Sequence, residues 1–139
     1  MSLFEQFETD KNKEQEGVAI EYGANKDGTI PTFYIGRIGG SDSAYHLRLK
    51  KLCAPFRRQI ELDIMQNSKM LELQVQAFTE TTLKGWSNVL DRNDSEIQFT
   101  KNNAIILFNQ LPDLFADLIS QSTNIELFKR AEMEENLKN

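Results

Sequence analysis

The hydrophobic repeat of this chain changes period at Gly39-Gly40, and that change limits the folds open to it. Before the pair, Val18-Ala19-Ile20-Glu21-Tyr22 and Thr29 through Ile38 alternate roughly every two residues. Both stretches are rich in β-branched and aromatic side chains, the pattern of strands with one buried face. Asn25-Lys26-Asp27-Gly28 between them supplies turn chemistry, because Asp-Gly tolerates positive φ at low cost. Pro31 lacks a ladder donor, which puts it on an edge or at a strand's start. An isolated hairpin is marginal in water, so this one must pack on helices or on another subunit.

Beyond Gly39-Gly40 the period is helical. Ser41 or Asp42 can cap a first helix, whose stripe is Tyr45, Leu49, Leu52, Phe56 and Ile60. Pro55 must kink or restart it, lacking an N–H and clashing one turn back. A second helix opens near Asn67-Ser68 and carries Leu71, Val75, Phe78, Thr82, Trp86 and Val89 on one face. After the polar loop Asp91-Arg92-Asn93-Asp94, Thr100 caps a helix with Ala104, Leu107, Phe108 and Leu111. Pro112 suits the first position of the next, with Asp113 at its positive end and Leu114, Phe115, Leu118 and Ile119 inward. Asn124 caps a last helix with Ile125, Phe128 and Ala131. The expected fold is mainly α (α+β), an N-terminal β-hairpin followed by about five helices in a small bundle. Residues 1–16 read as a flexible N-terminal segment: 8–17, with no apolar side chain, should be a solvated linker, and Leu3, Phe4 and Phe7 before it either dock as a short helical turn or stay mobile. Residues 17–131 read as a single hairpin-plus-helices domain and 132–139 as a frayed acidic tail.

With 139 residues, 40% apolar and nine Phe, the chain can bury one core. A net charge of −5 gives a field that does not favour nucleic acid or anionic membrane. No apolar run approaches ~18 residues, and the N-terminus lacks the basic start and apolar stretch of a secretion signal, so a soluble intracellular protein is expected.

Each candidate site has a competing reading. Gly36-Arg37-Ile38-Gly39-Gly40-Ser41 before a helix invites a phosphate loop, but Ser41 stands where the second Gly belongs. Asp91, Asn93 and Ser95 resemble the start of a calcium loop, yet Glu96 replaces the turn Gly and Asn102 the bidentate Glu. His46 and Cys53 lie seven apart, too few ligands for zinc; the other reading is a Cys–His nucleophile pair, against which Cys53 sits in an apolar stripe as a small buried hydrophobe. No catalytic residue, metal ligand or cofactor is expected. Arg48, Lys50, Lys51, Arg57 and Arg58, with Arg37 nearby, could form a basic face for phosphates or for an acidic partner.

From about Gly17 to Phe128 the chain resembles phage tail assembly chaperones. The resemblance is carried in order by Ile35-Gly36-Arg37-Ile38-Gly39-Gly40, Tyr45 to Lys50-Lys51, and Phe56-Arg57-Arg58-Gln59-Ile60-Glu61-Leu62. Gly85-Trp86, Phe99-Thr100 with Asn103-Ala104, and Leu111-Pro112-Asp113-Leu114-Phe115 complete it. It implies a non-enzymatic protein of the host cytoplasm, absent from the mature virion. Such a protein binds the tape-measure protein, keeps it soluble and helps recruit tail-tube subunits. Many relatives of this kind also exist in a longer frameshifted form. The different-class alternative is a small nucleic-acid-binding phage regulator using the Arg48–Arg58 face. A homo-oligomer is expected, because the hairpin leaves a free edge and a long client favours repeated subunits. The expected client surface is an apolar groove of Leu114, Phe115, Leu118 and Phe128 with Arg57 and Arg58 at its rim; the competing reading makes all four apolar residues core.

Overall fold

The computed structural model describes residues 1–129. Ala131 of the expected last helix and the expected acidic tail 132–139 lie outside the described residues. The fold is α+β: a three-stranded antiparallel sheet in the order β1-β2-β3, covered by helices.

β1 (Val18–Glu21) and β2 (Thr32–Ile35) form the expected hairpin, pairing Ile20 with Phe33 and Glu21 with Thr32. The turn is closed by Gly28 N donating to Asn25 O at 2.9 Å, with Gly28 at φ +87, a conformation that suits glycine. Pro31 stands just before β2, where its missing donor costs no ladder bond.

Two short helices precede the sheet. α1 (Leu3–Phe7) is capped by Ser2, and α2 (Lys11–Glu16) by Asp10. The segment expected to be a solvated linker is therefore helical and attached to the body. Asp10 N donates to Phe128 O at 2.7 Å, and Arg37 pairs with Glu14 at 2.8 Å. Gly36 lies so close beneath α2 that a Cβ there would stand 2.8 Å from Glu14 O. A helix without an apolar residue is thus held by backbone contact and charge, which hydrophobic periodicity does not register.

α3 (Ala44–Cys53) is capped by Ser43, whose hydroxyl accepts from His46 N, not by Ser41 or Asp42. Ala54–Phe56, containing Pro55, is a 3₁₀ turn that leads into α4 (Arg57–Glu61), the restart expected of the proline. α5 (Asn67–Thr81) ends about two turns earlier than its stripe, which runs to Val89, suggests. Leu83–Ser87 is β3, which pairs with β2 and sets Trp86 opposite Phe33. β3 occupies the second side of β2, so the sheet's outer strands are β1 and β3.

α6 (Lys101–Gln110) has the expected Thr100 cap, and α7 (Pro112–Ser122) opens on Pro112. Asn124 caps a closing 3₁₀ turn, Ile125–Phe128. α3 packs on α5, α5 on α6 and α6 on α7.

The core is an aromatic stack beneath the sheet. Phe78 meets Phe115 edge-on at 5.5 Å and Phe108 at 6.1 Å, and Phe33 joins from β2 at 6.3 Å from Phe108. Such pairs add ~0.5–1.5 kcal/mol beyond the area they bury.

Candidate partner-binding groove

The phosphate-loop reading fails on donors. Gly36 N, Arg37 N and Ile38 N donate to the carbonyls of Thr82, Glu14 and Ser122, so three successive amides face protein rather than an anion. The Asp91–Glu96 segment is likewise a turn: Asp91 Oδ1 accepts from Asn93 N at 2.8 Å and Ser95 N at 3.0 Å, and a bridge between Leu90 and Glu96 closes it. Among the described residues no cluster of His, Cys, Asp and Glu could hold a metal. Burial pushes the Cys53 thiol pKa up, the direction that disfavours a thiolate nucleophile. No helix among the described residues is long and apolar enough to cross a membrane.

Of the basic residues, Arg48 pairs with Glu80 at 2.5 Å and Arg37 with Glu14. Lys50, Lys51, Arg57 and Arg58 are exposed on α3 and α4, and the Arg57–Glu61 contact at 3.3 Å is a surface pair that contributes little.

The apolar candidates divide. Phe115, Leu118 and Phe128 are 4%, 0% and 0% exposed and belong to the core, so the groove expected from them does not exist. The α7 stripe points into the aromatic stack and leaves no spare width on that side. Leu114, one step around the helix, is half-buried and lines a different groove, and neither Arg57 nor Arg58 borders it.

That groove runs between the Asp91–Glu96 turn and the corner where α6 meets α7. Two adjoining hollows of about 460 and 200 Å³ share Leu90, Leu107 and Leu111. Pro31, Val89 and Leu114 continue the floor toward β1, and Arg92, Asn93 and Gln110 stand at the opposite mouth. The larger hollow is within the ~300–1,000 Å³ usual for ligand pockets.

The walls are fixed. Ile97 N donates to Val89 O at 2.8 Å, which folds the turn back on itself, and Trp86 Nε1 donates to Ile97 O at 2.8 Å, which ties it to β3. Phe99 packs edge-on against the same indole at 5.1 Å. At the β1 end the Tyr22 hydroxyl donates to Asp117 Oδ2 at 2.5 Å, joining the hairpin to α7. Burial, with that carboxylate beside it, pushes the phenol's pKa up, so Tyr22 stays a donor.

Leu111 stands out at the corner. It occupies the cap position of α7 without a capping hydrogen bond, and its side chain is 49% exposed. Ser, Thr, Asp or Asn there would stabilise the helix by ~0.5–2 kcal/mol. A leucine in a cap position, facing water beside an apolar hollow, is a local departure of the kind found at functional sites. Sequence reading missed the groove because its turn wall and its helix wall lie far apart in the chain. The available signal was apolar Val89-Leu90 and Ile97 on either side of a polar turn.

A family model described as YdaY prophage protein matches residues 39–139, which is 101 of the 139 residues. The chain belongs to that family. It is accordingly a phage or prophage protein. The match takes in the turn, both helices of the corner and β3, hence all of the groove except the hairpin residues Tyr22, Asn25, Pro31 and Phe33. No curated protein and no solved structure matches the chain.

Proposed function

We propose that this prophage protein is a tail assembly chaperone. It holds the tape-measure protein in soluble form through the groove between the Asp91–Glu96 turn and the α6–α7 corner, and it helps bring tail-tube subunits to that client. The observation that carries the reading is Leu111: an exposed apolar side chain at an uncapped helix start, beside a groove floor of Val89, Leu90, Leu107 and Leu114. An unpartnered surface of this type suits a segment of another chain, and aliphatic anchors can enter it without demanding one sequence. Family membership supports the phage setting, and the order of the sequence motifs supports the tail module. The protein works in the host cytoplasm and leaves the tail before the virion is complete. Self-association along a long client is part of the same proposal.

The nucleic-acid alternative has weaker support, since the net charge is −5 and Arg37 and Arg48 are engaged with carboxylates, which leaves Lys50, Lys51, Arg57 and Arg58 of that face for phosphates. Coexpression tests the proposal. The tape-measure protein of the same phage, insoluble alone, should move to the soluble fraction with this chain. Unchanged insolubility, together with steeply salt-dependent binding of random duplex by the purified chain, would favour the regulator instead.

A further inference from the structure

We propose that the groove selects a cationic amphipathic segment, one with aliphatic anchors and Lys or Arg beside them. The inference rests on the groove being the client site and adds the chemistry of the segment it accepts.

The argument starts from charge placement. The ion pairs of the described residues join Glu14, Glu61, Glu72, Glu80 and Glu126 to basic partners, all away from the groove. Around the groove the carboxylates are left over. Asp91, Asp94 and Glu96 stand exposed on the turn, and Asp113 stands exposed between the lining residues Leu111 and Leu114. Among the described residues none of the four forms an ion pair, and Arg92 is the cation that stands on the same turn. An apolar floor rimmed by a local excess of negative charge is complementary to apolar anchors flanked by positive charge. Leu107 near the end of α6, Leu111 at the corner and Leu114 in α7 give the floor aliphatic side chains for the partner's own aliphatic anchors.

The rim carboxylates would contribute mainly selectivity and association rate, and the hollows would contribute retention. An acidic segment with the same aliphatic anchors should be turned away by like charge.

The test uses the full chain and two synthetic peptides with identical Leu positions, one carrying Lys at the flanking positions and one carrying Glu. The Lys peptide should bind at least ten times more tightly than the Glu peptide at low salt, and the preference should shrink as salt rises. Asp94→Asn with Glu96→Gln and Asp113→Asn should reduce Lys-peptide affinity about ten-fold. The same charge change elsewhere, Glu5→Gln with Asp42→Asn and Asp63→Asn, should reduce it less than two-fold, which separates the rim from general attraction by an acidic protein. Equal binding of the two peptides, binding of neither, or equal effects of the two triple variants would overturn the inference. If the Lys peptide binds as described but the tape-measure protein is not recovered with the chain, the groove chemistry stands and the client assignment falls. If the client is recovered without any Lys preference, the reverse holds.

Discussion

The indole nitrogen of Trp86 donates to the carbonyl of Ile97 at 2.8 Å, so one side chain of β3 holds the turn that forms one wall of the groove. Trp86→Phe keeps an aromatic ring beside Phe33 and Phe99, with less volume than the indole, and leaves the Ile97 carbonyl without the indole donor. It should destabilise the fold by about 1–2 kcal/mol in denaturant unfolding. It should also speed amide hydrogen exchange at Ile97, whose N–H bonds Val89 O, more than at Phe78 in α5. Equal acceleration at both sites would show that the indole bond supports the whole core rather than the turn.

Core and groove residues on neighbouring positions should respond differently. Phe115→Ala removes a buried ring from the aromatic stack and should cost about 3–5 kcal/mol. Leu111→Ser exchanges a half-exposed leucine for a capping residue and should change stability by less than about 1 kcal/mol, with a gain as possible as a loss. Thermal melts of the two variants check both expectations.

Gly36 is packed by the backbone of α2 rather than by a movable side chain. Gly36→Ala should push α2 away and destabilise by roughly 1–3 kcal/mol, the usual range for overpacking. Faster exchange at Gly17 N, which bonds Lys13 O at the end of α2, should accompany it.

Acid should loosen two ion-paired contacts. At Glu14 burial works to raise the pKa, but hydrogen bonds from Thr9 and Arg37 outweigh it and the pKa is lowered. At Glu80 the hydrogen bond from Arg48 is the largest influence and also lowers the pKa. A carboxyl whose folded pKa lies below its unfolded value of ~4.3 contributes stability above that value, and the contribution is lost as pH falls through the folded pKa. Melting temperature should therefore drop below about pH 4, and Glu14→Gln with Glu80→Gln should flatten the drop. An unchanged acid slope in the double variant would place the titrating groups elsewhere.

Local chemistry was legible in the sequence wherever one residue type decides the outcome. Asn25–Gly28 gave the turn, Pro55 the restart, Thr100 and Asn124 the caps, and Pro112 the helix start. Elements that depend on distant partners were not legible. The stripe through Phe78, Thr82 and Trp86 keeps helical spacing although the helix ends at Thr81, because only pairing with β2 makes Leu83–Ser87 a strand. α2 has no apolar face to reveal it. Along α7, periodicity groups Leu114 with Phe115 and Leu118, and only the packed fold shows that the latter two are core while Leu114 opens onto the groove.

The central claim is that the groove is where the client binds. Co-purification of the phage's own tape-measure protein with the full chain measures this directly, comparing Leu111→Ser with Arg57→Glu plus Arg58→Glu on α4. The account predicts that Leu111→Ser lowers client recovery at least five-fold while melting like the unaltered chain, and that the charge reversal on α4 leaves recovery unchanged. Full recovery with Leu111→Ser, or loss confined to the α4 variant, would contradict it.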